Sequence, residues 1–455
     1  MSYLADYFSK YDHLSEALQE SINPDEYVIG TYYAALPPRI DPWYIGRIAA
    51  EEQSTGTWVP VPENTPELRA RCTGKVVGVY EIPNYEFALP DGIKERQYIF
   101  QIGFPMAKAD GSFGFLMPNI PALLTSLIGN ISMGGKIKIL DITFPKPWLE
   151  HFQGPKFGIE GIRKLLKVPD RSLLNNMIKP NTGWSPEVGA KLFYQAAVGG
   201  CDVVKDDELI ADHPYNRLVD RVPLFMEKVD QVREETGEET LYTVNITDRA
   251  DKVRDLALEA IDAGTNALMM NYLVVGLDTF RSLAEDPEIK VPILAHMDFA
   301  GAIYESPISG MSSFLVLGKM VRLIGADIVV FPAPYGKAPI IKDKYMAIAR
   351  ALRYRLGGLK PTLPMPSGGI TPGMVLEVMK DLGADVLIGS GGGIHAHPDG
   401  SIAGARAFRQ AINIGMQHME EASDDFEDFV EDHEDDYPEL ARAMEEWGIR
   451  ETKFA

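Results

Sequence analysis

Gly199-Gly200-Cys201-Asp202-Val203-Val204-Lys205-Asp206-Asp207-Glu208 is a short apolar strand that runs straight into one lysine and three carboxylates. Such a strand end is costly to bury unless its charges are paired or hold a metal. On an extended chain Lys205 and Asp207 point to one side and Asp206 to the other. Glu208 joins the first pair if the chain turns there. Asp207 and Glu208 offer two of the oxygen ligands that Mg²⁺ prefers. Lys205 has two readings. A lysine whose pKa is lowered by its site supplies a neutral amine that captures CO2, and the resulting carbamate is an anionic oxygen donor. Otherwise Lys205 is the counter-ion of a structural acidic pair.

The same pattern, a strand ending in chemistry, recurs outward from this stretch. Short apolar strands are expected near Met177, Val203, Thr243, Leu268, Ile293, Val329, Met365 and Leu387, separated by stretches with helical spacing such as Val253–Ala263 and Met374–Leu382. Eight strand–helix units fit a parallel (β/α)₈ barrel, with a doubly wound sheet as the alternative. The polar residues favour the barrel. The strands end in Lys179, Lys205 to Glu208, Asn245, Asn271, His296, Pro334-Tyr335-Gly336-Lys337, Ser367-Gly368-Gly369 and Gly391-Gly392-Gly393. Barrel enzymes gather catalytic groups at the C-terminal ends of their strands and commonly bind phosphate after strands seven and eight. Backbone N–H groups in a glycine turn suit an anion.

Residues 1–150 read differently. Strands are expected at Tyr27–Tyr33, Lys75–Tyr80 and Gln97–Ile102, with helices at Pro42–Glu52 and Ile120–Ile128, a mix that predicts an N-terminal α+β (ferredoxin-like) domain. The barrel is expected over 151–418 and an acidic helical tail over 419–455. The chain has 455 residues, 45% hydrophobic and 24% charged, with a formal net charge of −21. That charge argues against nucleic acid or an anionic membrane as partner. Two cysteines, Cys72 and Cys201, fit a reducing compartment. No signal-peptide pattern opens the chain and no apolar run reaches membrane-spanning length, so a cytoplasmic protein is expected. Cys201 reads as a buried structural thiol, and His395 and His397 as helix-entry residues rather than metal ligands.

Lys179-Pro180-Asn181-Thr182-Gly183, Gly199 to Glu208, Ser367-Gly368-Gly369 and Gly391-Gly392-Gly393, with Glu52-Gln53-Ser54-Thr55-Gly56-Thr57-Trp58 and Gly129-Asn130, together resemble the RuBisCO large-chain superfamily. The resemblance implies a homodimer or dimer-based oligomer, each site formed by one subunit's barrel and its partner's N-terminal domain. It further implies Lys205 as N6-carboxylysine (CO2 held as a carbamate), with Asp207 and Glu208 completing a site for one Mg²⁺. Lys179 would move protons on the substrate's enolised carbon, with His296 also in the site. Ser367, Gly368, Gly369, Gly391, Gly392 and Gly393 would bind a phosphorylated small molecule, and Glu52, Thr57, Trp58 and Asn130 would come from the partner subunit.

The departures from the carboxylating pattern point to a RuBisCO-like protein. Asn181 stands where a second lysine is expected, His296-Met297 where His-Arg is expected, and Phe331-Pro332-Ala333-Pro334-Tyr335-Gly336-Lys337 replaces the loop bearing the CO2-directing lysine. The role of Lys337 is left open. Losing the arginine suggests a substrate with one phosphate. Related activities pass through an enediolate whose charge Mg²⁺ holds. The position of the salvage enolase's base lysine is taken here by Asn130, which has no useful basicity. This favours decarboxylation of a 3-oxo sugar-acid phosphate (of the 3-oxo-isoapionate 4-phosphate type), with enolase/isomerase chemistry as in methionine salvage the alternative and a non-catalytic regulatory relic the second alternative. Lys136 and Lys138 are expected to face solvent.

Overall fold

The computed structural model describes residues 12–56, 61–337, 340–422 and 425–449, so Thr57 and Trp58 lie outside the described residues. The chain divides into two compact units: Met1–Phe152 with Ala300–Val316, and Gln153–Phe299 with Leu317–Ala455.

In the first unit, β1 (Tyr27–Leu36), β2 (Lys75–Glu81), β3 (Arg96–Pro105) and β4 (Ile137–Thr143) form an antiparallel sheet in which β1 lies between β3 and β4, and β2 flanks β3. Alternation along β1 and β3 buries Val28, Tyr32, Phe100, Ile102 and Phe104. Helix Pro42–Glu52 starts where Asp41 caps the Trp43 N–H, and helix Ile120–Ile128 where Asn119 caps that of Ala122. Each has proline in its first turn, where a missing N–H costs nothing. The two-residue strand Gly310–Met311 adds a parallel edge to β4.

That edge changes the reading of Lys138. It is buried, not solvent-facing, and its Nζ donates to the Tyr304 carbonyl at 2.6 Å and to that of Ser306. The expectation failed because the 300–316 segment covers a strand face that the local pattern presents as open. Lys136 is exposed, paired with Glu95.

The second unit is the barrel. β5 (Leu173–Met177), β6 (Val203–Lys205), β7 (Leu241–Asn245), β8 (Ala267–Asn271) and β9 (Ile293–His296) are followed, beyond Gly310–Met311 (β10), by β11 (Ile328–Pro332), β12 (Leu363–Ser367) and β13 (Leu387–Ser390). The ladders are parallel in the order β12-β11-β9-β8-β7-β6-β5-β13, and the end strands β12 and β13 lie side by side, so the barrel is nearly closed. Leu173, Val203, Leu241, Met269, Leu294, Val330, Leu363, Met365 and Leu387 form one buried cluster. Strands buried on both faces explain the continuous apolar runs in the sequence. No helix among the described residues is long and apolar enough to cross a membrane.

The acidic tail contributes buried apolar side chains. Helices Phe426–Asp432 and Pro438–Trp447 bury Phe426, Phe429, Val430, Leu440 and Ala443. Leu440 N–H donates to Gln410 Oε1 at 2.8 Å, and His397 Nε2 lies 2.9 Å from the Glu439 carbonyl.

Candidate active site at the barrel mouth

β6 ends at Lys205, and the next three residues turn over the mouth of the barrel. Lys205 is fully buried, its Nζ donating to the Asp206 carbonyl at 2.8 Å and to Glu208 Oε2 at 3.0 Å. Asp206 points the other way. Its Oδ2 takes hydrogen bonds from Arg221 Nη2 at 2.9 Å, Arg221 Nε at 3.2 Å and Asn245 N–H at 3.0 Å, and its Oδ1 one from Tyr242 OH at 2.8 Å. Asp206 and Arg221 are a fully buried pair that fixes the strand end, leaving Asp207 and Glu208 for the mouth.

Asp207 Oδ2 lies 2.5 Å from Lys179 Nζ, which also donates to Asn181 Oδ1 at 3.0 Å. Glu208 is held across three further strand ends. Asn245 Nδ2 donates to its carbonyl at 3.1 Å and Asn271 Nδ2 at 3.4 Å, while His296 Nε2 lies 3.3 Å from Oε2. Burial opposes ionisation of the Glu208 carboxyl, but the charge of Lys205 and then the field of His296 outweigh it and hold the group well below the usual carboxylate range. Beyond His296 stands Asp298. Its Oδ1 is 3.4 Å from His296 Nδ1 and its Oδ2 accepts from Asn271 Nδ2 at 3.2 Å. The 3.4 Å approach is off-line, leaving His296 Nδ1, like the neighbouring Asn271 Oδ1, buried without a hydrogen bond.

Donor atoms of Glu208, His296 and Asp298 all lie within 4.8 Å of one another. Carboxylate oxygens beside orphaned buried polar atoms suit a hard divalent cation. The imidazole stands between the Glu208 and Asp298 carboxylates, with Nε2 3.3 Å from the first and Nδ1 3.4 Å from the second.

The glycine turns adjoin this cluster. Gly368 and Gly369 have φ of 101° and 94°, open to glycine and disfavoured for other residues. The Lys337 N–H donates to the Gly368 carbonyl at 2.6 Å, and a Cβ on Gly336 would fall 2.0 Å from that oxygen. The loop after β11 is thus seated directly on the turn after β12. Lys179 runs alongside Gly391, where an added Cβ would lie 2.9 Å from Lys179 Cε. His395 links this turn to β5, with Nε2 3.0 Å from Asn176 Oδ1 and Nδ1 3.0 Å from Ser401 Oγ. His395 and His397 face different elements, so His-x-His offers no shared metal point. Cys201 is buried and desolvation pushes its thiol well up.

The barrel thus brings Lys179, Lys205, Asp207, Glu208 and His296 together, with Ser367–Gly369 and Gly391–Gly393 at its last two strand ends. In the first unit Glu52 and Asn130 meet, Asn130 Nδ2 donating to Glu52 Oε1 at 3.2 Å. Sequence reasoning passed over Asp298, and Arg221 as the partner of Asp206. The signal for Asp298 was present, since an acid two residues beyond a strand-end histidine shares its side of an extended chain.

Comparison with known proteins agrees with this architecture. The model for the ribulose bisphosphate carboxylase large chain catalytic domain matches residues 158–447, and that for its N-terminal domain matches 18–148. The chain belongs to the RuBisCO large-chain family. It is 53% identical over 413 residues to a ribulose bisphosphate carboxylase-like protein of Archaeoglobus fulgidus, covering 90% of this chain and 93% of that one. It is 37% identical to a 2,3-diketo-5-methylthiopentyl-1-phosphate enolase of Bacillus cereus, covering 86% and 91%. A crystal structure of a RuBisCO-like protein from Alicyclobacillus acidocaldarius superposes with a TM-score of 0.80 at 32% identity, covering 93% of this chain and 100% of that one. The octameric RuBisCO of Pyrococcus horikoshii gives 0.83 at 29% identity, covering 95% and 96%. Within the family, therefore, the chain stands with the RuBisCO-like members rather than the carboxylating ones.

Proposed function

We propose that the chain is a Mg²⁺-dependent enolase/isomerase that moves a proton on a phosphorylated ketose through an enediolate. The observation carrying this reading is Lys179 Nζ set 2.5 Å from Asp207, beside the Glu208–His296 pair and the glycine turns. The 37% identity to a diketo-phosphate enolase supports it over the decarboxylation that Asn130 suggested from sequence. When bound, Mg²⁺ would supply Lewis-acid stabilisation of developing oxyanion charge. Asp207 and Glu208 would hold it, with Lys205 as the carbamate. Lys179 takes and returns the proton at the carbon beside the carbonyl, a task Asn130 cannot perform. Gly368, Gly369 and Gly391 to Gly393 offer backbone N–H groups to the phosphate, with Ser367 adding a hydroxyl, and Lys337 lies against that turn. A homodimer would bring Glu52, Thr57, Trp58 and Asn130 of one subunit to the other's barrel.

The test is NMR of ketose and diketo monophosphates incubated with Mg²⁺ and bicarbonate in D2O. Deuterium incorporation or tautomerisation with all carbons retained is expected. Release of CO2 from a 3-oxo acid phosphate, without exchange on ketoses, would refute the proposal in favour of the decarboxylase.

A further inference from the structure

Asp298 is a mouth carboxylate that neither the proton transfer nor the Asp207–Glu208 pair uses. Its side chain is 36% accessible, whereas that of His296 is 5%. Met297 packs against the barrel core, so Asp298 is the polar side chain that the end of β9 presents outward, ahead of the exposed Phe299. Its oxygens touch Asn271 and His296, and no lysine or arginine of the described residues pairs with it. Around the barrel the order of strand ends is fixed. The glycine turns follow β12 and β13, Asp207 and Glu208 follow β6, and Asn271 and Asp298 follow β8 and β9. A linear substrate whose anionic end lies at the turns, and whose carbonyl oxygens lie by Asp207 and Glu208, extends its remaining carbons toward Asn271 and Asp298.

We infer that Asp298 is a specificity-determining residue that selects a phosphorylated ketose whose far end carries a hydroxyl. This rests on the phosphoketose reading above. A carboxylate with no cationic side chain of lysine or arginine against it has acceptor capacity left for a hydroxyl, and such bonds to a charged acceptor are among the stronger ones. A thioether has no proton to give and would desolvate the carboxylate without return. A second phosphate would meet a like charge. The chain would therefore differ in substrate from the methylthio-diketone enolases it resembles, although the proton chemistry is shared.

Three probes matched in carbon skeleton separate the cases: ribulose 1-phosphate, its 5-deoxy-5-methylthio analogue and ribulose 1,5-bisphosphate. Their binding is measured by calorimetry on the full chain with Mg²⁺ and bicarbonate. The wild type is expected to bind the hydroxyl-ended sugar roughly ten- to a hundredfold more tightly than the methylthio analogue, and the bisphosphate least. Asp298→Ala removes that preference. Asp298→Asn keeps a hydrogen-bonding group and much of the hydroxyl preference while admitting the bisphosphate as Asp298→Ala does. Equal or tighter binding of the methylthio sugar by wild type, or parallel shifts of all three ligands in both variants, would overturn the inference alone. If none of the three binds, the phosphoketose reading falls and this one with it.

Discussion

The buried pair of Asp206 and Arg221 sets the geometry of the mouth without facing it, and Arg221→Met is the sharpest test of that role. Both side chains are fully excluded from solvent. Removing the guanidinium strips Asp206 of its only positive partner among the described residues and of two of its hydrogen bonds, at 2.9 and 3.2 Å. It also orphans the Asn216 carbonyl, bonded at 2.8 Å. Breaking a buried pair from one side costs about 3–5 kcal/mol, because the other charge stays buried and uncompensated. Asp206 keeps Tyr242 OH and the Asn245 N–H, which places the expected loss near the lower end, about 3 kcal/mol. In Asp206→Asn/Arg221→Met the charge leaves with its partner, so the double variant is expected to recover roughly 1–2 kcal/mol relative to the single. Guanidinium unfolding at pH 7, followed by circular dichroism for wild type, both single variants and the double, measures all terms of the cycle. A cost under about 1 kcal/mol for Arg221→Met, or strict additivity in the double, would refute the view that this pair carries the strand end.

Lys205→Met should abolish any bicarbonate-enhanced Mg²⁺ binding measured by calorimetry; enhancement that survives the substitution would rule out the carbamate. Lys179→Ala should slow solvent deuterium exchange by roughly 10²–10⁴-fold while leaving Mg²⁺ affinity within a few-fold, and retained exchange would transfer the proton-moving role elsewhere. Burial, and then the charge of Lys179, push the His395 imidazole down to about 4. A base depressed on folding stays neutral while the unfolded chain protonates, so its contribution is fully present above about pH 6.5 and is lost as pH falls toward 4. Relative to His395→Gln, the wild type is expected to lose about 2–3 kcal/mol of unfolding free energy over that window; parallel pH profiles for the two would contradict it.

The barrel was legible because its signal is local. Each strand is a short run buried on both faces, and the residue that ends it is polar for a reason of its own, so Lys179, Asn245, Asn271 and His296 could be placed before any contact was known. The alternation rule likewise separated Asp206 from Lys205 and Asp207. What the alternation could not supply is the identity of the group awaiting Asp206, because Arg221 lies a loop and a helical turn away and its side of the helix is set by packing. Lys138 shows the same limit. Its pattern is that of an exposed strand residue until Tyr304 and Ser306 arrive from a segment 166 and 168 residues later. Asp298 was a different omission, visible in the pattern but overshadowed by the arginine expected at Met297.

The seating of the Lys337 loop on the Gly368 turn has a consequence for anyone recombining parts of this family. Gly336 and Gly368 meet backbone to backbone, with no room for even a methyl group, so the two loops form a matched set whose shapes must be inherited together. A chimera whose first loop carries any residue other than glycine at position 336, set against this chain's second loop, places a side chain where a carbonyl already stands. Exchanging both restores the fit. The unit of exchange for altering specificity at this mouth is therefore the pair of loops, not the single residue or the single loop.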